Sequence, residues 1–368
     1  IHEIPRKKNM KQKSNAIVIK DIILYHDGYV DGILAQDERT KGQRNMELLR
    51  EEVKTSPNSI RILCECIESC HDNPAELMGY VEQGIKCLET HTAEETGFAP
   101  SLYRHAIHQY GEFGQMEQAQ KVWDLGNKQF SNSLYLQLDG AGFMMMGYYK
   151  QNQYKEAAQY GLIWEKTQCK YEADKIDVAE ISLGTLMLSP LQQAAELRAM
   201  LFECLCQLEN WETASDVLFR MRIEHTSMHN LARIANMLFL YGHHLPKVEI
   251  LLNSFWSESK QPFYLSKRED DWKRWRAMLL AKMEEAFRKD DPMWPAITTL
   301  EGDLGCSARA LDCRDMEKLP AMLEEIEDWG NVLPAIFSYI LEEYIPFPAG
   351  FYASKREMLT SLAEGISI

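Results

Sequence analysis

Two short apolar triplets, Ile17-Val18-Ile19 and Ile22-Ile23-Leu24, stand near the start of the chain, divided by Lys20-Asp21. They are rich in β-branched residues and predict two strands. Gly28 and Gly32 punctuate the exit from them. From Gly42 the apolar period changes to a helical one, with Met46, Leu49 and Val53 on one face. Ser56-Pro57-Asn58 stops that helix, and Ile60, Leu63, Cys64 and Ile67 open the next. Pairs of helical segments then recur. Residues 102–112 are followed by 116–130, 134–150 by 154–166, 191–208 by 211–222, and 231–241 by 246–256.

Three of these pairs share a phrase at the turn: Gln115-Met116-Glu117-Gln118-Ala119, Gln153-Tyr154-Lys155-Glu156-Ala157 and Asn210-Trp211-Glu212-Thr213-Ala214. A large apolar residue is followed by two polar ones and then a small alanine. The alanine predicts a close crossing of the two helices. Tyr110 and Tyr148 stand nine residues before Ala119 and Ala157, where each can pack between helices; Leu205 takes that place before Ala214. The expected packing residues are therefore Tyr110, Ala119, Tyr148, Ala157 and Ala214. This pattern resembles the tetratricopeptide repeat (TPR), a helix–turn–helix unit of about 34 residues. Ala119 and Ala157 are 38 residues apart and Ala157 and Ala214 are 57 apart. The longer interval implies an insertion over 172–189. The full Trp-Leu-Gly-Tyr pattern of the repeat is absent, so the repeats are degenerate. One helix pair cannot bury both of its apolar faces, so the resemblance implies a TPR-like α-solenoid of stacked pairs.

After Trp256 the regularity fades. Residues 268–288 read as one long helix. Residues 315–329 read as another, with Met316, Leu319, Leu323 and Ile326 in register. Residues 332–344 and 354–363 read as closing helices, and Pro292, Pro295, Pro346 and Pro348 mark the breaks.

Composition narrows the function classes. The net charge of −15 over 368 residues repels phosphate backbones and argues against nucleic-acid binding. The compact basic run from Arg6 to Lys13 reads first as a solvated loop, and second as a patch for an anionic ligand or membrane surface. The longest apolar candidate, 231–242, is broken by Arg233 and Asn236, so no membrane insertion is expected. Residues 1–20 lack the apolar stretch of a secretory leader. Nine cysteines, placed within helical patterns, predict reduced thiols and a cytoplasmic protein.

Candidate chemistry is sparse. Cys64, Cys66, Cys70 and His71 are close in sequence, but a straight helix spreads them over two faces, so no metal site is expected. His105 and His108, beside Arg104, and the pair His225 and His229 have spacings that reach a metal, yet neither carries a His-Glu-x-x-His pattern. His243-His244 reads as a polar turn. Gly140-x-Gly142 lies inside a helical pattern and reads as close helix packing. Trp272, Trp275 and Phe287 read as core. There is no phosphate-binding Gly-x-x-x-x-Gly-Lys-Ser/Thr, no Gly-x-Ser-x-Gly elbow and no Asp-x-Asp. No catalytic residue is expected in this chain.

The first 60 residues carry a second resemblance. His2-Glu3, the strand-like 22–24, His26-Asp27-Gly28-Tyr29, the helix Lys41-Gly42-Gln43-Arg44-Asn45-Met46-Glu47-Leu48-Leu49 and Ser56-Pro57-Asn58 together resemble a junction in bacterial family 2 glycosyltransferases. There the sugar-nucleotide domain ends and a tetratricopeptide array begins. Asp27 departs from the aromatic residue or histidine usual at its place. The resemblance implies that 1–40 are the end of a catalytic domain, 41–260 a degenerate TPR-like array, and 261–368 a C-terminal helical region. It implies that His2, Glu3 and His26 lie near substrate: His2 against metal or diphosphate, Glu3 orienting it. The nucleotide sugar and divalent metal of such an enzyme are expected upstream of Ile1, with no cofactor in this chain. The expected fold is mainly α, with a short N-terminal β stub.

The function expected is a non-catalytic TPR-like part of such a transferase, binding a protein, peptide or glycan acceptor or pairing into a homo-oligomer. The alternatives are a stand-alone TPR-like scaffold for a protein or peptide partner, and a repeat regulator that senses a peptide signal. The acidic balance favours a basic peptide over an acidic one.

Overall fold

The computed structural model describes residues 41–173, 191–258 and 271–343, with 345 and 351. The chain is mainly helical, and among the described residues the only β pairing is an isolated parallel bridge between Ser59 and Glu94. The expected strands at 17–24 and the closing helix at 354–363 lie outside the described residues. Contacts divide the chain into two compact units, 1–197 and 198–368. The division falls at Leu197, whereas the sequence pattern changes its regularity near residue 260.

In the first unit the helices are α1 (Lys41–Thr55), α2 (Ile60–Ser69), α3 (Pro74–Glu89), α4 (Ala99–Glu112) and α5 (Met116–Phe130). A π-helical stretch, Tyr135–Gly140, then runs straight into α6 (Ala141–Lys150), and α7 (Tyr154–Glu172) follows. The apolar pattern leaves α3 unassigned, although its start is signalled. Asn73 caps it by accepting from the Glu76 amide, Pro74 opens the first turn, and Glu76 favours the positive end of the helix dipole. The segment at 134–150 reads as one helix in sequence, but the structure widens its first turns into the π stretch. Each helix from α1 to α5 packs on the next, α6 packs on α7, and α4 also packs on α2, α6 and the π stretch. Leu102, Ile107, Leu136, Leu138, Met144 and Trp164 are fully buried in this unit. Small residues let the helices approach. A Cβ on Gly147 would stand 3.5 Å from Gly111 Cα and 2.5 Å from Met116 Sδ, so α4 and α6 cross at Gly111 and Gly147.

α8 (Leu191–Gln207) spans the division, and the second unit continues with α9 (Trp211–Phe219), α10 (Met228–Tyr241), α11 (Val248–Glu258) and α12 (Asp271–Arg288). It closes with α13 (Trp294–Thr298), α14 (Gly302–Asp312), α15 (Leu319–Glu324) and α16 (Ala335–Glu342). The helix expected over 315–329 is only six residues long, the span of α15. Pro320 fits only the first helical turn and fixes the start, while Asp328 Oδ1 accepts from the Gly330 amide and turns the chain after it. Polar side chains stitch this unit. Glu284 Oε2 accepts from the Ala335 amide at the start of α16, and Ser307 Oγ accepts from the Leu333 amide. Arg309 Nη1 donates to the carbonyls of Thr298 and Leu300, at the end of α13 and just beyond it.

Candidate functional site

The three sequence phrases fold into one backbone turn. After α4, Gly114 takes a left-handed φ of 70°, its amide bonds the Gly111 carbonyl at 3.1 Å, and the Gln115 amide bonds the Tyr110 carbonyl at 2.8 Å. After α6, Asn152 (φ 57°) bonds Tyr149 at 2.9 Å and Gln153 bonds Tyr148 at 3.0 Å. After α8, Glu209 (φ 56°) bonds Cys206 at 3.1 Å and Asn210 bonds Leu205 at 2.9 Å. These are Schellman closures, which satisfy the last carbonyls of a helix. The next helix starts at once, and the amides of Ala119, Ala157 and Ala214 bond back to Gln115, Gln153 and Asn210. The turn spans five residues and the helical step four, which is the physical origin of the nine-residue interval. Similar closures end α3 at His91 and α12 at Asp290, without the immediate helix and alanine.

All three alanines are fully buried. Tyr110 is buried, and Tyr148 is half-buried between α5 and α7. The Tyr148 ring stacks on Tyr160 with centroids 5.7 Å apart, and its hydroxyl donates to Gln120 Oε1 at 3.0 Å. Tyr160 donates to the same oxygen at 2.6 Å, and Gln120 Nε2 donates to Asp124. Tyr160 also meets Trp123 edge-on.

Between the first two turns lies an open groove of about 760 Å³. Its walls come from the start of α5, the end of α6 and the start of α7. Two links hold the walls together: Gln151 Nε2 donates to the Gly114 carbonyl at 3.0 Å, and Lys150 pairs with Glu112 at 2.6 Å. The side chains of Gln115, Glu117, Gln118, Lys121, Gln153 and Glu156 line it. Among the described residues these six make no side-chain hydrogen bond or ion pair with one another or with the walls. Three amides, two carboxylates and one ammonium therefore face the groove with their bonding capacity open to a ligand.

A second polar feature is buried. Ser101, Arg104 and His105 occupy one face of α4 and meet Glu68 of α2 and Asp139 of the π stretch. Arg104 and Asp139 are 2% and 0% exposed. Arg104 Nη1 lies 3.3 Å from Asp139 Oδ2, Nη2 reaches Ser101 Oγ at 3.2 Å and Glu68 Oε1 at 3.4 Å, and the guanidinium sits 5.3 Å over the Tyr135 ring. His105 Nε2 lies 2.7 Å from Arg104 Nη2 and 2.9 Å from Glu68 Oε1. When bare it accepts from Arg104; when protonated it donates to Glu68. Burial pushes its pKa below the ordinary imidazole value, with Arg104 acting the same way and the Glu68 hydrogen bond opposing. The cluster ties α2, α4 and the π stretch together around Arg104, whose charge both Asp139 and Glu68 answer. Of its members, the sequence pattern singles out only Arg104 and His105. Glu68 and Asp139 carry no local signal, because the π stretch that aims Asp139 is set by packing.

His2, Glu3 and His26 lie outside the described residues. Cys64, Cys66 and Cys70 are buried, with burial pushing the thiols of Cys64 and Cys66 up to about 12, which suits packing and not ligation. His71 is exposed beyond the end of α2. His225 and His229 sit on different elements, the former in a short 3-10 turn and the latter in α10. His243 and His244 form a 3-10 turn, where the His244 ring stacks on Trp211 at 4.9 Å. Trp275 is fully buried and Phe287 packs on Trp294. Among the described residues, no three His, Cys, Asp or Glu side chains converge to hold a metal, and no helix is long and apolar enough to cross a membrane.

Comparison of this chain with protein-family models, with curated proteins and with solved structures finds no match.

Proposed function

We propose that this chain is a helical-repeat binding module, the non-catalytic TPR-like part of a family 2 glycosyltransferase, which holds an acceptor or partner. The observation that carries the reading is the threefold recurrence of one turn, with the same closure, immediate helix and buried alanine, at Ala119, Ala157 and Ala214. Between the first two of these turns polar side chains face a groove, and in stacked helical repeats such surfaces serve binding. In this reading the helix pairs stack as a solenoid, and the sugar-nucleotide and metal chemistry belongs to a catalytic domain joined at the 1–40 junction. The support for the transferase part is the sequence phrase at His2-Glu3, His26-Asp27-Gly28-Tyr29 and Arg44-Asn45.

The test has two arms. The chain is incubated with a panel of nucleotide sugars and a divalent metal, and is screened on peptide and glycan arrays. The reading expects no sugar transfer and a ligand on at least one array. Turnover of a nucleotide sugar by this chain overturns the non-catalytic assignment, and silence on both arrays overturns the binding assignment.

A further inference from the structure

The chemistry of the groove narrows its ligand. Gln115, Gln118 and Gln153 each present one amide donor pair and one carbonyl acceptor, and none is bonded to another described residue. A peptide main chain alternates the complementary groups, one donor and one acceptor per residue. A glycan offers hydroxyls that also match amides, but sugar rings additionally use a bare aromatic face. The groove lining offers little of one: its single aromatic, Tyr148, is half-buried, has one ring face stacked on Tyr160 at 11° between planes, and commits its hydroxyl to Gln120. Charge points the same way. Glu117 and Glu156 face the groove against Lys121, the one cation among its described lining residues, within a chain of net charge −15. A neutral sugar gains hydrogen bonds but no charge attraction from that surplus, whereas a basic side chain gains both.

We propose that the groove between the 114–121 and 148–156 segments binds an extended basic peptide, its main chain held by Gln115, Gln118 and Gln153 and its lysine or arginine side chains by Glu117 and Glu156. The proposal rests on the binding-module reading and adds the site and the ligand class to it. The links Gln151–Gly114 and Lys150–Glu112 join the backbone walls of the groove before the ligand arrives, so the ordering that opposes binding falls on the lining side chains.

The probe is a fluorescein-labelled hexapeptide of alternating serine and lysine, titrated with the full chain by fluorescence anisotropy at low salt. A serine–glutamate hexapeptide and chitohexaose are the controls. The lysine peptide is expected to bind at least about tenfold more tightly than the glutamate peptide. The triple variant Gln115→Ala/Gln118→Ala/Gln153→Ala is expected to weaken binding about tenfold or more. The double variant Glu117→Gln/Glu156→Gln is expected to flatten the salt dependence. All substituted residues lie on the groove surface, and far-ultraviolet circular dichroism checks that each variant folds as the parent does. If the lysine peptide binds but both variants match the parent, the groove assignment fails and the binding-module reading stands. Equal binding of the two peptides, or binding of chitohexaose alone, overturns the peptide assignment. If neither peptide nor chitohexaose binds, the groove proposal fails, and the array screen alone decides the broader reading.

Discussion

Replacing Asp139 by alanine removes the carboxylate that answers Arg104 in the core of the first unit. Arg104 is 2% exposed, so water cannot take the place of the missing charge. Removing one partner of a buried ion pair costs about 3–5 kcal/mol, because the other charge is left in a poor solvent. Glu68 moderates this loss. Its side chain is 55% exposed and already 3.4 Å from Arg104 Nη2, so it can swing closer. The Tyr135 ring beneath the guanidinium persists as well. The lower end, about 3 kcal/mol, is therefore expected. For a folded unit of this size that lowers Tm by roughly 6–12 °C. Thermal and urea unfolding, followed by far-ultraviolet circular dichroism, measure it. The companion is Arg104→Met combined with Asp139→Leu, which removes both charges and leaves neither unanswered. It is expected to be far less destabilised than the sum of its single variants, with a coupling of about 2 kcal/mol or more. Asp139→Ala melting within about 2 °C of the parent, or strictly additive single variants, would refute the claim that this pair holds α4 against the π stretch.

Three further outcomes are expected. Ala157→Leu forces a larger side chain into a fully buried crossing and should cost about 1–3 kcal/mol, against under about 0.5 kcal/mol for Lys155→Leu on the exposed side of the same turn; equal effects would contradict the close crossing. Gly305→Ala places a Cβ 1.6 Å from the Leu300 carbonyl oxygen, so the backbone beyond the end of α13 must move, and a soluble variant with parental Tm would contradict this packing. His105 is held neutral by burial, so the unfolded state takes up its proton at a higher pH than the folded one. Its contribution is complete above the ordinary imidazole value and is lost as pH falls below it. The Tm gap between the parent and His105→Gln should therefore narrow from about pH 7 to about pH 5, and a constant gap would count against the buried role of this imidazole.

The helical period locates α1, α2, α4, α5 and α8–α12 to within a few residues and the start of α7, which runs on past the expected end at 166 to Glu172. The phrase around Ala119, Ala157 and Ala214 is visible because the Schellman closure and the helix step impose a fixed spacing on residue types. What stays illegible in sequence is set by distant contacts. The π stretch forms where Leu136, Leu138 and Gly140 fit against α4 and Trp123, and nothing local distinguishes it from ordinary helix. Residues 315–329 keep a helical period, yet Pro320 and the Asp328 turn confine the helix to α15. The groove is half legible. Its glutamines stand in the recurring phrase, but that they are left unbonded around a cavity follows only from the approach of α6 to the α4–α5 turn.

The groove assignment is tested most directly by hydrogen exchange of the full chain with and without the serine–lysine hexapeptide. The account predicts slowed exchange confined to residues 114–121 and 148–156, with the glutamate peptide producing none. Slowed exchange elsewhere in the chain, with these two segments unchanged, would contradict it.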